Sequence, residues 1–299
     1  MRYPPLLIDF VFKYLFTTDR ISLNSLLTYI LYPDKSNSIE VLEILSTENS
    51  PTFQGAKNSF LDLKVRDKEN TIFQIELQVA EQISYIKRSL YYALTLIHNQ
   101  LNSGESYFKL SPVIQINILD FLIFPNQSIL NWFLLKERTD PELVLTEDLQ
   151  MIYIELPKFK KSSVEELDSG IDFWLYLLKY SQILTMEDTM KLKNKLPDLQ
   201  NAFGALELYA TDPEKQRQLE ERLHSDENFA YEMAAKYELG IEEGIERGIE
   251  KGIEKGIEKG KLENKLETAR KMREEGDSLD KILRITGLSE DKLRGSGVL

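Results

Sequence analysis

Asp62 and Lys64, followed by Glu76 and Gln78, are two pairs of polar residues, each spaced by two within an alternating segment. Over residues 59–66 the two-residue period of a strand puts Phe60, Asp62, Lys64 and Arg66 on one face and Leu61, Leu63 and Val65 on the other. Over residues 71–79 Ile72, Gln74, Glu76 and Gln78 share a face, and Phe73, Ile75, Leu77 and Val79 share its reverse. The short polar link Asp67-Lys68-Glu69-Asn70 predicts an antiparallel hairpin. Opposite neighbours in such a pair have Cβ atoms about 5 Å apart, so carboxylates from the two strands can converge on one ion. A hard cation such as Mg²⁺ takes oxygen ligands and keeps several waters. It would acidify a bound water and neutralise charge developing on a phosphoryl group. A lysine or an amide beside the ion would position that water. The same alternation also describes the solvated side of an ordinary sheet. A helix laid over the polar face separates the two readings.

The surrounding elements follow from the same patterning. Apolar residues at helical spacing predict helices over 6–16 and over 22–31, the second stopped by Pro33. Residues 39–45 read as a strand and 46–58 as a loop. A long helix is expected over 83–102, ending at Ser103-Gly104. Residues 112–121 are so apolar that they predict a strand buried on both faces. Further strands are expected at 132–138 and 151–155, then helices at 163–184, 186–194, 198–210 and 214–238. The fold class is therefore α/β, followed by an all-helical C-terminal region.

Composition narrows the chemistry. The 299 residues include 49 acidic and 37 basic side chains, for a net charge of −12, which disfavours nucleic-acid binding by bulk positive charge and leaves a local groove or a metal to do it. With no cysteine, thiol nucleophiles and thiolate zinc sites are excluded. His98 and His224 are the only histidines, which argues against histidine-rich metal sites and hydrolase triads. The expected location is the cytoplasm, since no basic head with an apolar stretch opens the sequence and no run reaches the ~18 apolar residues of a membrane span.

Asp62, a hairpin, and Ile75-Glu76-Leu77-Gln78 together resemble the PD-(D/E)xK nuclease motif. More narrowly they resemble the Rpn family of recombination-promoting nucleases and transposases, in which glutamine occupies the lysine position. Asp9-Phe10-Val11-Phe12-Lys13-Tyr14-Leu15-Phe16 is similar to that family's N-terminal signature. Arg88 with Tyr91-Tyr92, Pro112-Val113-Ile114 and Ile118-Leu119-Asp120-Phe121 match further recurrent features. The resemblance implies a restriction-endonuclease-like αβββαβ core and a Mg²⁺- or Mn²⁺-dependent DNA endonuclease tied to recombination or mobile elements. It implies metal ligation by Asp62, Glu76 and the Leu77 carbonyl, with Gln78 in the catalytic lysine's place. Asp9 and Arg88 become accessory groups. Leu61 stands where the motif has proline, and the missing lysine points to Lys64 as a relocated cation, with Lys13 as a second candidate. The alternative is a catalytically inactive nuclease fold that binds DNA or a protein.

The expected domains are 1–160 (nuclease-like), 161–238 (helical extension) and 239–299. The last contains a Gly-Ile-Glu-x repeat with glycines at 240, 244, 248, 252, 256 and 260. Each glycine costs a helix about 1 kcal/mol relative to alanine. The expectation is thus a fraying helix or linker, with a self-association seam along Ile241, Ile245, Ile249, Ile253 and Ile257 as the sharper reading. Residues 266–299 read as a helical hairpin turning at Thr286-Gly287, with Ser278 and Ser289 as N-caps. The assembly expected is a weak homodimer through these C-terminal helices.

Overall fold

The computed structural model describes residues 2–45, 48–49, 59–60, 63–81 and 83–299. The chain runs through α1 (Asp9–Thr18), α2 (Arg20–Leu31), β1 (Val41–Ile44), β2 (Glu48–Asn49), β3 (Ser59–Phe60), β4 (Leu63–Asp67), β5 (Ile72–Gln78), α3 (Tyr85–His98), β6 (Val113–Leu119), β7 (Leu130–Lys136) and β8 (Val144–Glu155). Helices follow: α4 (Gly170–Tyr180), α5 (Met186–Lys195), α6 (Leu199–Thr211), α7 (Pro213–Glu274), α8 (Leu279–Thr286) and α9 (Glu290–Gly295). Chain contacts separate two compact units, Met1–Arg217 and Gln218–Leu299.

In the first unit six strands form one sheet in the order β1-β4-β5-β6-β8-β7. β4 pairs antiparallel with β1 and with β5, which realises the expected hairpin. β6 lies parallel to both β5 and β8, and the parallel step from β5 to β6 is bridged by α3. This is the αβββαβ order, extended by the antiparallel β7–β8 pair. The segment expected as one strand over 59–66 is divided. Ser59 and Phe60 pair with Asn49 and Glu48 in a separate two-stranded sheet, and β4 begins at Leu63. β8 is twelve residues long because its first half continues past the sheet in an irregular pairing with β7.

One face of the sheet is apolar across its central strands: Leu63, Val65, Phe73, Ile75, Ile114, Ile116, Ile118, Ile152 and Ile154 are all buried. α2 packs on β1 and on α4, and α1 on α2 and α6, so the helices after β8 complete the core begun by the N-terminal pair. Trp174 is the anchor of that junction, its ring tilted against Phe16 at a centroid distance of 5.8 Å and its indole N–H donating to Ser25 Oγ at 3.1 Å. α4 starts in a capping box in which Ser169 and Asp172 satisfy each other's backbone N–H groups. Its first residue, Gly170, lies against Tyr29 of α2, and a Cβ there would fall 1.9 Å from the ring.

In the second unit α8 and α9 pack on the C-terminal turns of α7. Ala269 and Met272 bury against Ile282, Leu288, Leu293 and Val298. The expected turn is present, with Gly287 at φ +64° closing α8 and Ser289 Oγ capping α9. The glycine repeat lies inside α7, which is helical over all 62 residues. No helix among the described residues is long and apolar enough to cross a membrane.

Gly170→Ala should destabilise the protein by about 1–3 kcal/mol, because the methyl group must displace a buried tyrosine ring from a packed interface. The midpoint of urea unfolding of the full chain reads this out, and an unchanged midpoint would contradict the packing described.

Candidate active site

The reverse face of the sheet is polar. Cross-strand register sets Lys64 opposite Gln74 and Gln74 opposite Gln115. It also sets Glu76 opposite Asn117 and Asn117 opposite Tyr153. Three amides, a carboxylate and a phenol thus occupy the middle of a sheet in which β6 reads as Val-Ile-Gln-Ile-Asn-Ile-Leu and is buried along its whole length. α3 covers this face. Its residues Tyr85, Ser89, Ala93 and Leu96, spaced as one helical stripe, are buried against it. Leu96 packs on Ile72 and Val113, and Tyr85 on Leu119 and Tyr153. The polar face is therefore not the solvated side of an open sheet. Glu76 is only 6% exposed, and Gln74, Gln115 and Asn117 are fully buried.

Polar groups in such a place must be paired. Asn117 Oδ1 accepts from Tyr85 OH at 2.9 Å and from Gln115 Nε2 at 3.1 Å, while its own amide donates to the Ile152 carbonyl at 3.1 Å. Ser89 Oγ and Tyr153 OH are 2.7 Å apart. Gln74 Nε2 donates to Glu76 Oε1 at 3.2 Å. Two acceptors remain. Among the described residues Gln74 Oε1 and Gln115 Oε1 have no hydrogen-bond partner, although both are buried. Burial pushes the Tyr92 phenol up, the Arg88 charge draws it down and the Glu76 carboxylate pushes it up, so the charged groups act on the same ring.

The cations are held differently. Lys64, half-buried on β4, has its ammonium pushed below the ordinary lysine range, first by burial and then by the charge of Arg66. Arg88 donates from Nη2 to Gln78 Oε1 at 2.5 Å and lies over the rings of Tyr85, at 5.0 Å, and Tyr92, at 5.8 Å. Gln78 in turn donates to the Ala80 carbonyl at 3.0 Å. The helix above the sheet therefore fixes Gln78, the last residue of β5.

Of the residues singled out from sequence, the structure puts Lys64, Glu76 and Gln78 on one face of the sheet, with Arg88 on the helix above it bonded to Gln78. Leu77, between them, is buried, with its side chain on the aliphatic face. Asp62 lies outside the described residues. Asp9 is exposed in the first turn of α1, and neither it nor Lys13 makes a hydrogen bond or ion pair with the cluster among the described residues. Gln115, Asn117, Ser89 and Tyr153 were not foreseen as a group. The available signal was two amides at i and i+2 in an otherwise aliphatic strand, a pattern that needs a polar partner on one face. No group of three or more acidic or histidine side chains that could hold a metal occurs among the described residues. The donors that are present, the Glu76 carboxylate and the orphaned Gln74 oxygen beside it, are hard oxygens of the kind a Mg²⁺ or Mn²⁺ ion prefers.

Residues 6–234, well over half of the chain, match the family described as PD-(D/E)XK nuclease family transposase. The chain belongs to that family. No curated protein and no solved structure matches it. For a PD-(D/E)XK nuclease family transposase the sheet described above, with its acidic strand between an antiparallel and a parallel neighbour, is the expected scaffold. Membership supports a nuclease-like or transposase-like function and implies a DNA substrate, and nucleases of this kind generally use divalent metals.

Asn117→Leu keeps the volume but strands the Tyr85 hydroxyl, the Gln115 amide and the Ile152 carbonyl. The expected cost is about 1–3 kcal/mol of stability, measured by urea unfolding. A variant as stable as wild type would show that the buried amide is not held by this network.

Proposed function

We propose that the chain is a divalent-metal-dependent DNA endonuclease that hydrolyses phosphodiester bonds, acts in the cytoplasm and serves DNA recombination or a mobile element. The carrying observation is Glu76, a carboxylate buried beneath α3 beside an unsatisfied amide oxygen. The last described pair of the hairpin is Leu63 opposite Ile75, and in the sequence Asp62 precedes Leu63 as Glu76 follows Ile75. In this reading Asp62, Glu76 and the Leu77 carbonyl hold Mg²⁺ or Mn²⁺, which would supply an acidified water and neutralise charge on the phosphoryl group. Gln74 orients the Glu76 carboxylate through its amide N–H. Gln78, locked by Arg88, presents an amide where the family's lysine stands, and its task is to orient water. Lys64 supplies the missing positive charge from the neighbouring strand, and its desolvated amine suits a position facing a phosphate. Asp9 and Lys13 are accessory groups on α1. Residues 1–160 form the nuclease-like domain, 161–238 a helical extension, and 239–299 the repeat and closing hairpin. Cutting both strands with one site per chain calls for two copies, so a weak homodimer through the C-terminal helices belongs to the same reading.

Purified protein should nick or cut plasmid DNA with Mg²⁺ or Mn²⁺ and leave it intact with EDTA. The Asp62→Ala, Glu76→Ala double variant should fall to background, and residual cleavage equal to wild type would remove the assigned site. Calorimetry showing no Mg²⁺ or Mn²⁺ binding, even with DNA present, would instead mark an inactive nuclease fold that binds DNA or protein.

The two replacements for the family lysine are separable. Lys64→Met should lower the cleavage rate by roughly 10²–10³-fold if its charge faces the phosphate, the usual effect of removing one electrostatic donor from a transition state. Gln78→Ala should cost less, since it removes a neutral group. The reverse order in single-turnover rates would assign the main role to Gln78.

A further inference from the structure

The glycine repeat is the one sequence motif that the nuclease reading does not use. Within α7 it is continuous helix, and Ile249, Ile253 and Ile257 are 57%, 58% and 52% exposed. A Cβ placed on Gly248, Gly252, Gly256 or Gly260 would meet nothing within 4 Å. Three large apolar side chains thus stand beside an open furrow along a helix that its glycines weaken. Glycine at every fourth position costs about 1 kcal/mol each. Like charges also recur at i and i+4, Glu254 with Glu258 and Lys251 with Lys255 with Lys259, an unfavourable spacing on a lone helix.

The period of four has a geometric meaning. Residues four apart on a helix form a ridge inclined about 26° to the axis, and two helices whose four-apart ridges interdigitate cross at about −50°. In this repeat the isoleucines are such a ridge, and the glycines one residue earlier are the adjoining groove. Because successive residues lie about 100° apart, the glutamate row flanks the far side of the isoleucines and the lysine row the far side of the glycines. Around the helix the order is glutamate, isoleucine, glycine, lysine. When two copies face each other in parallel about a two-fold axis, the isoleucine ridge of each enters the glycine groove of the other. Each glutamate row then meets a lysine row. In the antiparallel arrangement isoleucine would meet isoleucine and each charge its like.

We infer that residues 248–260 of α7 pair with the same segment of a second copy of this chain, as a parallel, right-handed crossing of isoleucine ridges into glycine grooves flanked by complementary charge rows. This deepens the homodimer of the proposed function, but sedimentation reads it out independently of cleavage, so failure of one is distinguishable from failure of the other.

The experiment is sedimentation velocity on the full chain. Wild type should show a reversible dimer at concentrations up to about 100 µM. Gly252→Leu with Gly256→Leu fills the groove. It cannot harm the isolated helix, since leucine is the better helix former and the space is open, yet association should weaken by at least about tenfold. Glu254→Lys with Glu258→Lys should also weaken pairing, and adding Lys251→Glu with Lys255→Glu should restore it. A wild type that stays monomeric overturns the inference, as does equal dimerisation of the leucine variant. Indifference to the first charge reversal overturns the parallel arrangement, because rows of like charge already in register would be changed little by it.

Discussion

Covering a polar sheet face with a helix is the constraint on which the first unit depends. A sheet with one aliphatic face needs its other face either wet or filled, and α3 fills it with tyrosine and serine hydroxyls as well as with Ala93 and Leu96. Each buried amide or carboxylate then has to find a partner within the layer, because the cost of leaving one unmet is comparable to that of a lost hydrogen bond. Tyr85, Gln115 and Asn117 close one such set, Ser89 and Tyr153 another, and Gln74 with Glu76 a third. Among the described residues the amide oxygens of Gln74 and Gln115 are left over. A purely structural layer would gain from aliphatic residues at those positions. Gln74 keeps its amide beside the Glu76 carboxylate all the same.

Much of this was readable from period alone. The two-residue alternation of Gln74, Glu76 and Gln78 against Phe73, Ile75 and Leu77 gave β5 and its two faces, and the four-residue polar link gave the hairpin. The doubly buried character of β6 was equally plain, since its aliphatic run has no polar residue on one face. What did not follow was that Gln115 and Asn117 continue the polar layer, because that depends on the parallel register of β6 against β5, which no local pattern encodes. The division of residues 59–66 was missed for a similar reason: the alternation is unbroken in sequence, while the pairing partner changes from β2 to β5. His98 is exposed at the end of α3, and Trp132 sits 41% exposed on an edge strand, positions that the local pattern does not fix.

The C-terminal helix shows the opposite balance between propensity and pattern. Six glycines argue for fraying, yet the isoleucines hold a single row, and the terminal hairpin supplies a small core of its own around Ala269 and Met272. Propensity here ranks residues one at a time, whereas packing rewards the row. A helix made of a bulky row beside a bare one is a poor solitary object and a good half of a pair.

Glu76 and the partner strand β6 also occupy a particular place in the hierarchy of motion. β5 and β6 are hydrogen-bonded on both edges and buried on both faces, the situation in which backbone amides are released only when the whole unit opens. Lys64 is carried by β4, which stands one strand nearer the sheet's edge, and Gln78 ends β5 at a turn. The Glu76 carboxylate is thus carried by a strand whose backbone opens only with the whole unit, while Gln78 sits at that strand's end.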